Sequence, residues 1–253
     1  MLHFDTLDQH FHEKIYRSFK GRLRLNVLAR DFNALNLHDR PKKVLDIGGG
    51  SGIFSLSLAE KGHDITLIEP STMIEKAELN FSNAKRPATF FKVRAEEIDS
   101  LNLPNTFDLI LLHAVLEWTE SPKVILEKVL PYLKKGGVLS LLFYNKQGLI
   151  FHNLIRGNFR VIEHETDGEG TFKRHPGSLT PINPLSPVTM KKTLLELGLS
   201  PLKQSGIRVF HDYMTKKNQE KIEESERIEM ELHYGELPEY CHTARYLHWV
   251  YQK

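Results

Sequence analysis

The feature that most constrains the fold is an alternation of short apolar runs and helical stretches between Lys43 and Tyr144. The apolar runs are "KVLDI", "ITLIE", "TFFKV", "FDLILL" and "VLSLLFY", and segments of helical periodicity separate most of them. Strands that are apolar on both faces and are joined through helices form a parallel sheet that is covered on both sides. The sequence therefore predicts a doubly wound α/β domain.

The segments on either side of this core have different patterns. Residues 1–40 are predicted to form N-terminal helices, because residues 5–38 place apolar side chains at helical spacing. Residues 145–185 are polar and contain glycine, and loops of that length commonly act as lids, so we expect an insertion over the mouth of a site. The elements predicted after it are a helix over 187–197, a strand pair in "SPLKQSGIRVF", a charged helix over 216–233 and a half-buried final strand in "TARYLHWVYQ".

The composition limits the class of protein. The chain has 253 residues, of which 40% are hydrophobic and 26% are charged, and this suits one domain over residues 1–253. No apolar run approaches the length of a membrane span and the first residues are polar, so we expect a cytoplasmic protein. A single cysteine, Cys241, and thirteen histidines without an HExxH pair give no reason to expect a metal site. A formal net charge of +2 does not by itself indicate a nucleic-acid binder.

The segment "VLDIGGGSG", Val44 to Gly52, is a strand that runs into a glycine-rich turn and then a helix. Glycine is needed where the backbone takes positive φ or where a ligand approaches the main chain, and the helix N-terminus offers free N–H groups. A dinucleotide fingerprint requires glycine at the sixth position of the motif. Counting from Gly48, that position is Ile53, and Asp46 stands just before the glycines. This argues against NAD.

The spacing Asp-x-Gly-x-Gly-x-Gly resembles motif I of the class I methyltransferases that use S-adenosylmethionine. The residues that carry the resemblance are Asp46, Gly48, Gly50 and Gly52. The resemblance implies a mostly parallel, seven-stranded, Rossmann-like sheet. It also implies that Glu69, at the end of the second strand, holds the ribose hydroxyls, and that the "RAEE" segment lies beside the adenine.

Four further segments, "HAVLEW", "GGVLSLLFYN", "GNF" and "GIRVFHDY", closely resemble the bacterial tRNA 5-carboxymethoxyuridine methyltransferase family. The resemblance extends from "KGRLR" to "RYLHW" and so covers nearly the whole chain. It implies methyl transfer to the carboxylate of 5-carboxymethoxyuridine at the tRNA wobble position. The cofactor-binding residues that it implies are Arg24, Gly48, Gly49, Gly50, Gly52, Glu69, Ala95, Glu96 and His113.

The resemblance also implies separate roles within that set. Arg24 would hold the carboxylate end of the cofactor, and His113 would complete the pocket. This chain departs from the family at Glu69 and Glu96, where relatives carry Asp and Gln, and both changes keep a hydrogen-bond acceptor. The insertion departs further, because it holds only "KRH" at 173–175 where relatives have a dense lysine run.

The acceptor implied by the resemblance needs no general base, because a carboxylate is already ionised at neutral pH. We therefore expect no catalytic acid or base, and we expect Arg208 to hold the carboxylate by charge-assisted hydrogen bonds. The residues expected to orient the base and the ether are Tyr144, Asn145, His211 and Tyr213. The alternative is that Arg208 forms a structural ion pair with Asp212.

Contacts to tRNA would come from basic side chains at phosphates and from aromatic side chains stacked on anticodon-loop bases. The candidates are Lys14, Arg17, Lys20, Arg156, Arg160, Lys216 and Lys217, with Phe159 or Trp249 for stacking. Two other functions stay open: a small-molecule carboxyl methyltransferase, and an RNA-binding protein that binds S-adenosylmethionine without catalysis. A monomer is the favoured oligomeric state.

Overall fold

The computed structural model describes residues 18–104, 106–160, 162, 181 and 183–253. These residues form a seven-stranded sheet with the order β3-β2-β1-β4-β5-β7-β6. The strands are β1 (Lys43–Ile47), β2 (Asp64–Ile68), β3 (Thr89–Phe91), β4 (Phe107–His113), β5 (Leu133–Tyr144), β6 (Ser200–Ile207) and β7 (Tyr246–Gln252). The first five strands pair in parallel, and β7 runs antiparallel to both of its neighbours. The predicted doubly wound, mostly parallel sheet is confirmed.

The helices of the described residues lie on both faces of this sheet. They are α1 (Phe19–Ala34), α2 (Ile53–Glu60), α3 (Met73–Asn83), α4 (Pro122–Val129), α5 (Lys146–Leu154), α6 (Pro187–Glu196), α7 (Lys216–Lys221), α8 (Glu224–Tyr234) and α9 (Pro238–Cys241). The start of α1 is capped by the Ser18 hydroxyl, which accepts a hydrogen bond from the Gly21 amide at 3.2 Å. None of the described helices is long and apolar enough to cross a membrane.

A helix is present in the predicted N-terminal helical segment, but it ends earlier than predicted. The helix α1 ends at Ala34 rather than near residue 38, because Asn36 takes a left-handed conformation with φ of 52°. The Leu37 amide then donates back to the Phe32 carbonyl at 3.0 Å. Residues 5–17 of the predicted helical segment lie outside the described residues.

The predicted insertion over 145–185 begins with a regular helix, α5, and most of its later residues lie outside the described residues, so the insertion stays a prediction. Three predictions for the segments after it need correction. The predicted strand pair is a single strand, β6, and the charged helix divides at Ile222, which is extended, into α7 and α8. The final strand is buried rather than half-buried, because β7 lies between β5 and β6.

The core positions the helix α1 over the carboxyl end of the sheet. Leu23, Val27 and Leu28 of this helix are buried against Leu142 at the end of β5 and Ile207 at the end of β6. Burial of such side chains stabilises a fold by about 1.5 to 3 kcal/mol each. The packing therefore fixes the polar residues of α1 beside the sheet edge at which β1, β2 and β4 end.

Candidate active site

The glycine turn after β1 depends on glycine for both its conformation and its packing. Gly48, Gly50 and Gly52 have φ of 69°, 57° and 69°, a region that other residues rarely adopt. A Cβ atom on Gly48 would lie 2.4 Å from Cγ2 of Val115, whereas a Cβ on Gly50 would meet no atom within 4 Å. The turn therefore packs tightly on the segment after β4 and faces open space at Gly50, so a ligand can approach the backbone there.

Two acidic residues support this turn in different ways. Asp46 is buried beneath it and accepts a hydrogen bond from the Ser55 hydroxyl, and burial raises the pKa of Asp46 to about 7. Glu69 lies at its edge, where Oε2 accepts from the Gly50 amide at 2.9 Å and Oε1 accepts from the Ser71 amide and hydroxyl at 3.0 and 2.6 Å. Since Oε2 keeps a free lone pair, Glu69 can accept a further hydrogen bond from a ligand hydroxyl.

The remaining predicted cofactor residues surround the same edge of the sheet. Ala95 and Glu96 open the short 3₁₀ helix after β3, with Ala95 buried and Glu96 exposed. His113 is the last residue of β4, and burial, with His248 and the Arg24 guanidinium close by, lowers its pKa well below the usual value. The guanidinium carbon of Arg24 lies 5.2 Å from the centre of the Tyr246 ring.

Arg208 belongs to a cluster of three cations that share one carboxylate. The Asp212 oxygens lie 3.3 Å from Nη1 of Arg208, 3.4 Å from Nε of Arg245 and 2.9 Å from Nζ of Lys20. Only 13% of each arginine side chain and 7% of the Asp212 side chain are exposed. Although burial acts to raise it, the pKa of Asp212 is lowered, because Arg208 and Lys20 favour the ionised form. The structural ion pair considered from the sequence is therefore present, but one carboxylate leaves this cluster with surplus positive charge.

A buried carboxylate holds the turn that carries Arg208. The Glu231 side chain is fully buried on α8 and accepts from the backbone amides of Val209, Phe210 and His211 at 2.8, 3.2 and 2.7 Å. Burial raises the pKa of Glu231, and these hydrogen bonds oppose the shift. Arg208 itself has φ of 61°, so the chain turns sharply at the end of β6. Sequence reasoning missed Glu231, Arg245 and the pairing of Lys20 with Asp212.

Several buried polar atoms around Asp212 have no hydrogen-bond partner in the described part of the chain. They are Nδ1 of His152, Nδ1 of His211 and Nη1 of Arg245. Burial lowers the pKa of both histidines to about 4, so both rings are neutral at neutral pH. Buried polar atoms are nearly always hydrogen-bonded, and a group of unsatisfied ones beside a charged cluster is typical of a site that receives a polar ligand.

The tyrosines predicted to contact the acceptor lie in this cluster. The Tyr144 hydroxyl accepts from Nη2 of Arg245 at 2.7 Å, and the Tyr213 hydroxyl donates to the Thr243 carbonyl at 2.5 Å. Burial raises the pKa of both phenols to about 12. Asn145 differs, because its side chain is used within the fold. Its Oδ1 accepts from the backbone N–H of Gln147 and caps α5, and its Nδ2 donates to two backbone carbonyls at 3.1 and 2.8 Å. We therefore leave Asn145 out of the acceptor site.

The residues predicted to contact RNA fall into three groups. The exposed ones are Lys20, which pairs with Asp212, and Arg156, Phe159, Arg160, Lys216 and Lys217. Lys14 and Arg17 lie outside the described residues. The prediction that Trp249 stacks on bases is wrong, because it is 5% exposed and its ring packs edge-on to Phe143 at 5.0 Å between the ring centres. No group of three or more potential metal ligands occurs within the described ranges.

Comparison with known proteins defines the class. A family model described as a methyltransferase domain matches residues 18–204. Magnesium protoporphyrin IX methyltransferase from Synechocystis PCC 6803 has the same fold, with a TM-score of 0.60 and 14% identity over 92% of this chain and 84% of that one. A 1,6-didemethyltoxoflavin-N1-methyltransferase from Burkholderia thailandensis gives a TM-score of 0.54 and 14% identity, covering 98% of this chain and 87% of that one. The fold, the glycine turn and these matches define a class I methyltransferase that uses S-adenosylmethionine.

A whole-length relative gives the family. The tRNA 5-carboxymethoxyuridine methyltransferase of Escherichia coli (strain K12) is 36% identical over 251 residues, which cover 97% of this chain and 94% of the relative. By contrast, the ubiquinone biosynthesis O-methyltransferase of Colwellia psychrerythraea is 30% identical over 105 residues, 41% of this chain and 42% of the relative. The chain belongs to the tRNA 5-carboxymethoxyuridine methyltransferase family.

Proposed function

We propose that this protein methylates the carboxylate of 5-carboxymethoxyuridine at the wobble position of tRNA and produces the methyl ester. The observation that carries the proposal is the surplus positive charge of Lys20, Arg208 and Arg245 around Asp212. A carboxylate acceptor supplies the missing negative charge. The name of the Escherichia coli relative supports the same acceptor.

The cofactor half of the proposal rests on the carboxyl edge of β1, β2 and β4. S-adenosylmethionine supplies an electrophilic methyl group on a sulfonium. We assign Arg24 to the cofactor carboxylate, the turn over 48–52 to its methionine part, and Glu69 to the ribose hydroxyls. Ala95, Glu96 and His113 complete this half. The open side of Gly50 and the free lone pair on Glu69 Oε2 fit a nucleoside with an adjacent ribose.

The acceptor half rests on the cluster around Asp212. Arg208 and Arg245 bind one acceptor oxygen by charge-assisted hydrogen bonds and leave the other oxygen to attack the methyl group in line. Because the acceptor carboxylate is already ionised, no proton would have to be removed, and the cofactor, having supplied the methyl group, would leave as its neutral thioether. The neutral Tyr144, His211 and Tyr213 orient the uracil and the ether oxygen without adding charge.

Contacts to the rest of the tRNA come from the exposed basic residues. Arg156 and Arg160 follow α5, and Lys216 and Lys217 begin α7. Phe159, which is 58% exposed, is the candidate for stacking on an anticodon-loop base. Each phosphate contact adds to the salt dependence of binding, so affinity for tRNA should fall steeply as salt rises. A small-molecule methyltransferase lacks that dependence.

The decisive experiment uses one tRNA in two forms, with 5-carboxymethoxyuridine and as the unmodified transcript. We expect methyl label from S-adenosylmethionine to enter only the modified form, and Arg245→Met to reduce the rate by at least tenfold. Arg40→Met, which changes an exposed arginine outside the site, is the control and should leave the rate unchanged. Equal labelling of both tRNAs refutes the acceptor, and tight cofactor binding with no turnover favours the RNA-binding alternative.

A further inference from the structure

A continuous chain of hydrogen bonds crosses the interior from α1 to the cofactor edge of the sheet. Oδ2 of Asp31 lies 2.6 Å from Nδ1 of His248 on β7, whose Nε2 lies 2.9 Å from the Ser140 hydroxyl on β5. That hydroxyl lies 2.8 Å from Nε2 of His113 at the end of β4. Asp31, His248 and Ser140 are all 0% exposed. The chain therefore runs without solvent contact until it reaches His113.

The charges at the buried end determine that Asp31 accepts its hydrogen bonds. Nε and Nη2 of Arg30 donate to Oδ1 of Asp31 at 3.0 and 2.8 Å, and Nζ of Lys203 lies 3.8 Å from the same oxygen. Burial acts to raise the pKa of Asp31, but His248 and Arg30 lower it overall, so the carboxylate is ionised and can only accept. His248 must then donate from Nδ1. A His248 ring that carries its one proton on Nδ1 accepts from the Ser140 hydroxyl at Nε2.

The same order continues to the ring of His113. In that arrangement the Ser140 hydroxyl donates to His248 and accepts from His113, whose proton then lies on Nε2. Nδ1 of His113 is left with a lone pair, and no described residue donates a hydrogen bond to it. The ring is partly exposed at the cofactor edge, near Arg24. A ligand with a donor group beside a carboxylate matches this pair of side chains.

We propose that Asp31, His248 and Ser140 are positioning residues that fix the tautomer of His113, so that its Nδ1 accepts a hydrogen bond from the ammonium group of the cofactor's methionine part. The inference rests on the proposed placement of the cofactor carboxylate at Arg24. The ammonium and the carboxylate are bonded to the same carbon, so both groups reach the Arg24 and His113 side together. Asp31 and Arg24 lie seven positions apart on α1, and this spacing puts them on the same helix face.

If this series of hydrogen bonds only holds α1 against the sheet, different results are expected. In that case, breaking it lowers the free energy of unfolding, and the affinity for all cofactor analogues falls together. A tautomer-fixing chain also changes the protonation of one named ring nitrogen, and it weakens only those ligands that carry the ammonium group. These two readouts separate the roles.

The first experiment is long-range ¹H–¹⁵N NMR of the histidine rings in the full-length protein, with the His113 signals assigned by their loss in His113→Gln. We expect the Nε2–H tautomer of His113 in the wild type. Ser140→Ala removes the acceptor for that proton and should raise the population of the Nδ1–H form. A wild-type ring protonated on Nδ1, or an unchanged tautomer in Ser140→Ala, overturns the proposal.

The second experiment is calorimetry with S-adenosylhomocysteine and with its desamino analogue. A hydrogen bond to a charged group corresponds to a change in affinity of roughly tenfold to a hundredfold. We expect Ser140→Ala and Asp31→Asn to lower the affinity for S-adenosylhomocysteine by at least about tenfold. Their affinity for the desamino analogue should stay within about threefold of the wild-type value. Ser57→Ala is the control: within the described part of the chain its hydroxyl donates only to the Phe54 carbonyl, so neither affinity should change.

The two ligands separate the possible failures. Equal losses of affinity for both ligands, or no loss of affinity for either, overturn the ammonium assignment. Unchanged binding of S-adenosylhomocysteine to His113→Gln overturns it as well. Neither experiment uses tRNA, so a wrong acceptor assignment leaves both results unaffected.

Discussion

Replacing Glu231 by glutamine tests how the turn that carries Arg208 is held. The carboxylate accepts three backbone hydrogen bonds, two at Oε1 and one at Oε2. Glutamine keeps one acceptor oxygen, so its NH₂ group must face at least one buried N–H. Losing one charge-assisted bond and leaving that amide unsatisfied costs roughly 3 to 5 kcal/mol, from which the relief of a buried charge is subtracted. We expect Glu231→Gln to lower the free energy of unfolding by roughly 2 kcal/mol or more.

The assay is denaturant unfolding monitored by fluorescence, with methyl transfer measured on the same preparations. Glu229→Gln, an exposed change on the same helix, is the matched control and should fall within about 0.5 kcal/mol of the wild type. We also expect Glu231→Gln to raise KM for tRNA while the affinity for S-adenosylhomocysteine stays unchanged, because the turn lies in the acceptor half. A loss of stability no larger than that of the control refutes the reasoning.

Three further predictions concern the cofactor turn, the division of roles and acid stability. Arg208→Ala should reduce methyl transfer far more than cofactor affinity, and Glu69→Ala should do the reverse; calorimetry that does not distinguish Glu69→Ala from the wild type rules out the ribose assignment. Gly48→Ala should destabilise the fold by about 1 to 3 kcal/mol and weaken cofactor binding, since its Cβ meets Val115 and its φ is positive; combining it with Val115→Ala should recover part of the stability, and no recovery contradicts the contact. Burial lowers the pKa of His211 to about 4, so the unfolded state binds this proton more tightly. Its contribution, roughly 3 kcal/mol, is complete above about pH 6.5 and is lost as the pH falls toward 4. Between about pH 4 and 6.5, the free energy of unfolding of His211→Gln should depend less on pH than that of the wild type. An unchanged pH dependence contradicts the burial of a neutral ring.

The central sheet could be predicted from the sequence because its strands are apolar on both faces. β1, β2, β4 and β5 are such runs, and the glycine-rich turn lies between β1 and α2. The ends of these strands also bring Gly48, Glu69 and His113 to one edge without any knowledge of tertiary packing. The positions of these three residues could therefore be predicted from local sequence, whereas their roles toward a cofactor came from the family resemblance.

The acceptor half could be predicted only in part, because it is assembled from distant segments. Arg208 stood out within "GIRVFHDYM", but its partner cations come from α1 and from the residue just before β7. Glu231 reads as one charge among many on α8, and only the packing of that helix against the end of β6 buries it. The contact between Asp31 and His248 joins residues separated by 217 positions, which no periodicity reveals.

The most direct measurement of the central claim is a crystal structure with S-adenosylhomocysteine and an anticodon stem-loop that contains 5-carboxymethoxyuridine. The account predicts that one carboxylate oxygen lies within about 3 Å of a guanidinium nitrogen of Arg208 or Arg245 and that the other faces the cofactor sulfur. A carboxylate turned away from both arginines, with their charge balanced by Asp212 alone, would contradict it.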